Sequence, residues 1–217
     1  MRSRSNTFRG LSQNEKGAAL VEFAMVASVL LMIVFGIVEF GLAFRDRLTM
    51  ANSTQGASRI AAALGNDAAS DYETLLGLAQ SLQTLPASGI GIVKSVDIYE
   101  ADGNGDPPAS GCPGPKCNHY VYAPGHTLTC DWDPCPNPDP SEFEAYGGTW
   151  IPGLPPTAGG RDDALPGLAV LGLRVEFAHS WITTGLLPLP NVNCDGTPGA
   201  NCWYDTAIQR LEPQVFE

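Results

Sequence analysis

The side chain with the clearest chemical consequence is Glu22, a carboxylate that lies at the start of a long apolar run. From Phe23 to Val38 the sequence has no charged residue. An ionised side chain costs roughly 2.5–3.5 kcal/mol at the centre of a bilayer and less near its surface. Because ionisable residues inside membrane segments are functional by default, we expect Glu22 to have a partner that offsets this cost. The simpler alternative is that Glu22 only reaches the cytoplasmic membrane interface.

The apolar run that positions Glu22 is long enough to cross a membrane as a helix. Residues 18–44 span roughly 40 Å at about 1.5 Å per residue, whereas the hydrocarbon layer is about 30 Å thick. By the positive-inside rule, the basic residues before the run predict a cytoplasmic N-terminus and an exported remainder. These residues, opposed only by Glu15, are Arg2, Arg4, Arg9 and Lys16. A signal peptide cleaved after Ala43 is the alternative, but its apolar region is normally only about 7–15 residues long.

The sequence around Glu22 also carries a resemblance to a known family. Gly17-Ala18-Ala19-Leu20-Val21-Glu22-Phe23 resembles the processing site of type IV pilin-like proteins. With the short leader and the later GIVEFG at residues 36–41, it is similar to the TadE-like pseudopilins of tight-adherence (Tad/Flp) pilus systems. The detailed resemblance covers roughly residues 16–65. It implies that a prepilin peptidase cuts after Gly17, so that Ala18 becomes the first residue. Many pilins have an aromatic residue there, so N-methylation of Ala18 stays open.

Cleavage after Gly17 would give Glu22 a partner. The new α-amino group of Ala18 would be largely protonated at pH 7, and Glu22 follows it by one helical turn. The two charges could pair within one chain or between neighbours, which relieves the cost of burying either one alone. Such a pair would also set the axial register of packed subunits. The predicted processing residues are Gly17, Ala18, Glu22 and Phe23.

Glu39 is the second acidic residue of the run, about 25 Å along the helix axis from Glu22. It either reaches headgroups and water at the outer interface or makes a polar contact with another helix of an assembly. Gly36 and Gly41 nearby would allow close approach, although they do not form a GxxxG pattern. Glu22 and Glu39 are therefore the two predicted assembly contacts.

Six cysteines lie in the predicted exported part, in three pairs that are close in sequence. An even number of cysteines on the oxidising side of a membrane indicates disulfides, although six allow 15 connectivities. The spacing favours the local pairs Cys112–Cys117, Cys130–Cys135 and Cys194–Cys202. Zinc held by cysteines with His119 and His126 is the alternative, but the usual C-x₂-C spacing is missing.

One acidic turn is a weak candidate for a calcium site. Asp102, Asn104 and Asp106 alternate as at the start of a calcium loop, but the glutamate of an EF-hand would fall at Pro113. A turn that uses Asp, Asn and Gly for its backbone conformation is the favoured interpretation. No other metal and no cofactor is predicted.

Composition excludes some functions. The 217-residue chain has a net charge of −11, although its first 17 residues are net positive, so the exported part is strongly acidic. An acidic surface argues against nucleic acid as a partner.

No G-x-S-x-G, H-E-x-x-H or Walker sequence occurs. The paired cysteines fit disulfides better than a Cys/His nucleophile, and His179 fits a polar residue at the rim of a strand. No enzyme is predicted.

The pattern of apolar residues predicts an α+β fold, with a long N-terminal transmembrane helix before a small antiparallel-sheet, disulfide-clipped exported domain. The leader is residues 1–17, and the transmembrane helix is 18–44. Residues 45–85 form a helical extension, ending at Gly65-Asn66, and a second helix that starts with a capping box at Ser70–Glu73. Residues 86–217 form the β-rich domain. Strands are expected at residues 92–99, 119–122 and 168–177, and the tail at residues 204–211 fits a helix or a strand.

These features together favour a pseudopilin (minor pilin) that helps to assemble or initiate a tight-adherence pilus. Its expected partners are a prepilin peptidase, other pilins or pseudopilins, the inner-membrane assembly platform and the membrane itself. The expected location is the cytoplasmic membrane, with one span, the N-terminus inside and the C-terminal domain outside. One alternative is a membrane-tethered binding module or adhesin without leader cleavage. Another is a secreted enzyme released after Ala43.

Overall fold

The computed structural model describes residues 11–83, 92–123, 143–179 and 202–213, with side chains described from residue 17 onward. Two helices precede a five-stranded antiparallel sheet. The helices are α1 (Leu11–Leu64) and α2 (Ser70–Leu82). The strands are β1 (Val93–Glu100), β2 (Cys117–Tyr122), β3 (Phe143–Gly147), β4 (Val170–Phe177) and β5 (Trp203–Arg210). This arrangement confirms the predicted fold class.

Helix α1 has two halves with different surroundings. Its apolar side chains between residues 17 and 38 point away from the rest of the chain, and we call this part the exposed half. Residues 39–64 form the packed half, in which buried positions recur every three or four residues because one face of the helix lies on the sheet. These positions include Glu39, Ala43, Met50, Ala57 and Ala61.

The ends of the two helices follow different chemistry. Gly65 ends α1 in the left-handed conformation (φ 57°), and its amide donates to the carbonyl of Ala61, as the sequence predicted. The predicted capping box at the start of α2 is wrong. Ser70 is already the first helical residue, and its hydroxyl accepts a hydrogen bond from Arg161 at 2.9 Å. The amide of Glu73 donates to the carbonyl of Ala69 instead.

The strands lie in the order β3-β2-β1-β4-β5, and every pair is antiparallel. The alternation predicted for β4 is found, with Leu171, Leu173, Val175 and Phe177 buried on one face. That face packs on α2 and the packed half of α1, and the shared core also includes Leu75, Leu78 and Leu82 of α2. Burying each such side chain contributes about 1.5–3 kcal/mol. The tail is a strand, since β5 pairs with β4 along its length.

We use the name sheet domain for the five strands, α2 and the packed half of α1. The domain is a two-layer structure in which helices cover one face of an antiparallel sheet. The exposed half of α1 extends from it, and in the described residues the helix continues through Phe44 without a break.

Candidate processing and assembly segment

The predicted cleavage site lies on the exposed half of α1. Gly17, Ala18, Glu22 and Phe23 are all solvent-exposed, and the aromatic ring of Phe23 is 70% exposed. A Cβ atom added to Gly17 would meet no atom within 4 Å. The peptide bond after Gly17 is therefore open to another protein, and no part of the sheet domain covers it in the described structure.

Glu22 has no intramolecular partner among the described side chains. It follows Ala18 by four residues on a continuous helix, so the two residues lie on one face about 6 Å apart along the axis. In the uncut chain residue 18 has a peptide amide and no charge. A positive charge that pairs with Glu22 therefore requires cleavage after Gly17, which would create the α-amino group of Ala18, or it must be supplied by another molecule. Both are compatible with an assembly contact, which stays a prediction.

The helix around Glu22 has the dimensions of a membrane span. Between Gly17 and Leu64 it contains an apolar window that could cross a bilayer, and none of that window is buried in the protein. Its exposed large side chains form a continuous apolar surface and include Leu20, Met25, Leu30, Ile33 and Ile37. Exposed apolar patches of this size are rare on soluble monomers. The exposed half therefore needs a lipid or protein surrounding.

Glu39 has a different environment from Glu22. Its side chain is only 1% exposed, because it lies on the first turn of α1 that packs within the chain. This burial differs from the position at headgroups and water that was one of its two sequence interpretations. The other interpretation, a contact with a second helix of an assembly, stays a prediction. Any such contact would have to reach a side chain that its own chain already encloses.

A partly buried polar pair links α1 to the chain just after β4, near the end of the packed half that adjoins the exposed half. His179, just after β4, is 5% exposed, and its Nδ1 atom lies 2.7 Å from the carboxylate of Asp46 in α1. The imidazole also stacks on the indole of Trp203, with ring centroids 5.9 Å apart and planes 8° apart. His179 is thus buried between two elements rather than at the rim of a strand, which corrects the sequence interpretation.

Farther along the same surface, Asp205 of β5 faces α1. Burial raises the pKa of its carboxyl group, while a hydrogen bond from Thr54 and the nearby charge of Arg47 act in the opposite direction. The contact between α1 and β5 thus contains ionisable groups as well as apolar ones.

The acidic turn uses its side chains for its own backbone. The carboxylate of Asp102 accepts hydrogen bonds from the amides of Asn104 (2.8 Å) and Asp106 (2.9 Å). These amides, that of Asp106 foremost, lower the pKa of Asp102. The arrangement is an Asx-type turn, as the favoured interpretation expected. Calcium binding by Asp102, Asn104 and Asp106 is not tested by this geometry and stays a prediction.

Cys112 and Cys117 form a disulfide, with their Cα atoms 5.3 Å apart, so the first predicted pair is confirmed. Asp97 lies close to both sulfur atoms. Zinc needs thiolate ligands, and these sulfurs are bonded to each other, so this group does not fit zinc. Cys202 is also disulfide-bonded. Cys130, Cys135, Cys194 and His126 lie outside the described residues, and the other two pairings stay predictions.

A buried polar cluster in the sheet domain was not predicted from the sequence. The guanidinium of Arg161 pairs with Asp71 of α2, and both side chains are no more than 1% exposed. The other oxygen of Asp71 accepts hydrogen bonds from Tyr120 (2.7 Å) and Asn118 (2.8 Å) on β2. Arg161 also lies over the indole of Trp150, 4.6 Å from its centroid. We call Asp71, Asn118, Tyr120, Trp150 and Arg161 the Arg161 cluster.

The Arg161 cluster joins parts of the chain that no local pattern relates. Asp71 and Arg161 are 90 residues apart, and Asp71 and Tyr120 are 49 residues apart. Burial, and then the adjacent Asp71 carboxylate, raise the pKa of Tyr120 well above its usual value. All members are enclosed, so the cluster fixes α2 to the sheet and offers no surface for a substrate.

The sheet face opposite the helices carries a second ionic group. Asp97 of β1 lies between Arg174 of β4 and His119 of β2, with contacts of 2.6 Å and 2.5 Å. Tyr146 of β3 contacts the His119 ring edge-on. These residues pair across neighbouring strands, as oppositely charged residues commonly do in sheets.

Comparison with known protein families gives a match to part of α1. Residues 17–59 match the sequence model of the family described as TadE-like protein. The match covers about a fifth of the chain and corresponds to the exposed half and most of the packed half of α1. Neither a curated protein nor a solved structure matches the chain.

Proposed function

This chain is TadE-like over residues 17–59, and from that premise we propose that it is a pseudopilin (minor pilin) which a prepilin peptidase cuts after Gly17. The observation that carries the proposal is the agreement between this match and the geometry. The matched region starts at the predicted cleavage site, on an exposed apolar helix that contains the accessible carboxylate of Glu22. The TadE-like family is pilus-associated and structural, which supports a structural role for this chain.

The mechanism follows from charge. Before cleavage the exposed half of α1 lies in the cytoplasmic membrane, with its basic leader inside and the sheet domain outside. Cleavage removes the leader charges and creates an ammonium group at Ala18, one turn from Glu22. Within a bundle of such helices, the ammonium of one subunit and the carboxylate of the next neutralise each other, and a helix placed out of register would leave both charges unpaired.

The proposed role is to initiate or help assemble a tight-adherence pilus, with other pilins and the inner-membrane assembly platform as partners. The packed half of α1 supports this role, because it ties the membrane helix to the sheet domain as one unit. Release of the domain as a secreted enzyme fits less well. Ala43, where that cut would fall, is 4% exposed within the packed contact, and removing the chain up to it would also remove Glu39.

The test is the intact mass of the membrane-extracted protein, expressed with and without a prepilin peptidase from a tight-adherence locus. We expect peptidase-dependent loss of residues 1–17, leaving Ala18 first. Gly17→Val should block the loss, and the matched change Gly10→Val elsewhere in the leader should not.

Two other masses would contradict the proposal. A full-length chain under both conditions would indicate an anchored binding module or adhesin without cleavage. A chain that begins at Phe44 would indicate a secreted protein.

A further inference from the structure

An apolar groove lies where α1 leaves the sheet domain. It encloses about 440 Å³ between the helix and the first residue of β5. Its lining residues are Phe40, Gly41, Ala43, Phe44, Arg47 and Trp203. Phe40 and Phe44 are 61% and 64% exposed, and Tyr204, next to Trp203, is 64% exposed. Aromatic side chains with one arginine are thus concentrated at one end of the domain, beside the exposed half of α1.

The length of the helix places this groove at a membrane surface. Leu20 and Phe40 are separated by about 30 Å along a helix axis, which is about the thickness of the hydrocarbon layer. If Leu20 and Glu22 lie at the cytoplasmic edge, Phe40 lies at the outer edge. Phe44 is then about 6 Å and Arg47 about 10 Å farther out. The headgroup region extends roughly 5–8 Å beyond the hydrocarbon, so the groove spans it.

The groove has a rigid wall. The Trp203 indole stacks on His179 and meets Phe177 edge-on, with ring centroids 5.9 Å apart in both contacts. His179 in turn contacts Asp46 of α1 at 2.7 Å. These contacts hold the indole beside Phe44 and Arg47 on a fixed part of the domain. Tryptophan is enriched at membrane interfaces, since its ring combines an apolar body with a polar N–H group.

The charges next to the groove fit phosphate groups. Arg45 and Arg47 are exposed on the first turns beyond the predicted span. The rest of the predicted exported part is acidic, which disfavours its approach to anionic lipid. The groove end thus has two exposed arginines, with Asp46, bound to His179, and Asp205, near Arg47, as its acidic neighbours.

We propose that this groove is a docking surface for outer-leaflet phospholipids, in which Phe44 and Trp203 lie among the headgroups and Arg47 contacts lipid phosphate. The inference rests on the proposed single-span membrane state and adds to it the position of the sheet domain relative to the membrane surface. The base of the sheet domain lies on the membrane before assembly, instead of standing clear of it on the helix. Extraction into a pilus would then have to break these lipid contacts.

The experiment uses the full chain in vesicles that contain phosphatidylcholine and anionic phosphatidylglycerol. Tryptophan emission is compared in lipids with bromine atoms high on the acyl chain and in lipids with bromine atoms near the chain end. We expect stronger quenching by the high position, by a ratio of about two, because the indole lies near the interface. Trp203→Phe should remove most of this difference. Equal quenching of the wild-type protein and Trp203→Phe would overturn the proposal.

A second pair of variants tests the phosphate contact without changing a tryptophan. Arg47→Gln should lower the quenching in anionic vesicles by more than half. Arg59→Gln, an equally exposed change about 18 Å farther along α1, should leave it unchanged. If both variants quench like the wild type, Arg47 does not contact lipid and the proposal fails.

Flotation of the vesicles separates this inference from the proposed function. Protein that does not float with lipid would contradict the membrane span itself. Protein that floats but shows no Trp203-dependent quenching would contradict only the docking surface. Quenching that disappears as the protein-to-lipid ratio rises would mean that a second copy of the chain fills the groove, which also overturns the lipid assignment.

Discussion

At the scale of single residues, the sheet domain depends on charges that are fully enclosed. Arg161 is 0% exposed, and its guanidinium contacts the carboxylate of Asp71, the hydroxyl of Ser70 and the indole of Trp150. Taking two ions out of water is costly, and the cost is recovered only when the geometry is good and other hydrogen bonds complete the site. Here Tyr120 and Asn118 donate to the other oxygen of Asp71, whereas the buried Nε of Arg161 has no hydrogen-bond partner among the described residues.

Removing one member of the ion pair should therefore destabilise the domain strongly. Arg161→Met leaves the Asp71 carboxylate buried without its cation, and we expect a loss of about 3–5 kcal/mol in the free energy of unfolding. Urea unfolding of the detergent-extracted chain, followed by near-UV circular dichroism, measures it. Arg59→Met, at an exposed position of α1, is the matched control and should change little.

The double variant Asp71→Asn/Arg161→Met gives an internal check. It removes both charges, so we expect it to be more stable than Arg161→Met alone. If Arg161→Met unfolds at the same urea concentration as the wild type, the ion pair does not hold the domain together.

Tyr99 gives a residue-scale prediction for pH. Burial raises its pKa to about 12, against an opposing effect of Arg174. The folded state therefore favours protonated Tyr99, and its contribution to stability is complete below about pH 10, the unfolded pKa. This contribution is lost as pH rises toward 12, at up to about 1.4 kcal/mol per pH unit. Tyr99→Phe should fall less steeply in urea midpoints measured between pH 9 and about 11.5. An equal decrease of the urea midpoint with pH in the wild-type protein and in Tyr99→Phe would contradict this prediction.

At the scale of elements, β1 and β4 fit together because one position has no side chain. Gly172 of β4 pairs with Tyr99 of β1, and a Cβ atom at residue 172 would overlap the Tyr99 ring. The ring thereby lies against Gly172, and its hydroxyl donates to the carbonyl of Gly105 at 3.1 Å. A glycine inside a strand often marks this kind of close approach.

Gly172→Ala should therefore displace the Tyr99 ring and weaken the β1–β4 contact. Overfilling a packed site typically costs about 1–3 kcal/mol. The loss should appear in urea unfolding, together with a Tyr99 pKa that returns toward its usual value in an absorbance titration. Gly103→Ala is the matched control, because an added Cβ there meets no atom within 4 Å. Equal stability of the two variants would show that the ring moves aside without cost.

At the scale of the whole molecule, α1 is one continuous helix whose exposed half and packed half have different roles. Its exposed half offers an apolar surface that contains Glu22, and its packed half forms part of the core through Met50, Ala57 and Ala61. A force applied to the exposed half is therefore passed to the sheet domain through packed side chains and the His179–Asp46 contact. This is the arrangement that a subunit drawn out of a membrane into a fibre would need.

Glu22→Gln should separate processing from assembly. The change keeps the size of the side chain and removes the charge, so the proposed cleavage after Gly17 should continue while the proposed pairing with the Ala18 ammonium is lost. We expect at least about a tenfold drop in co-extraction with co-expressed pilin subunits, equivalent to about 1.4 kcal/mol. Ser28→Ala, another exposed position of the same half, should keep both properties. Unchanged co-extraction of Glu22→Gln would mean that the carboxylate does not bind a neighbour.

The sequence by itself determined the features that local patterns encode. The apolar run, the basic residues before it, the glycine that ends α1, the alternation of β4 and the Cys112–Cys117 disulfide all depend on neighbours a few residues apart. It also indicated the TadE-like segment, whose match begins at Gly17. Only the tertiary structure decided the partners of Arg161, the burial of Glu39, the strand conformation of the tail and the contact of His179 with Asp46, 133 residues away. The physical reason is that the position of a charged residue or a histidine in the sequence does not indicate which residue it contacts. Its partner is determined only when elements far apart in the sequence pack together.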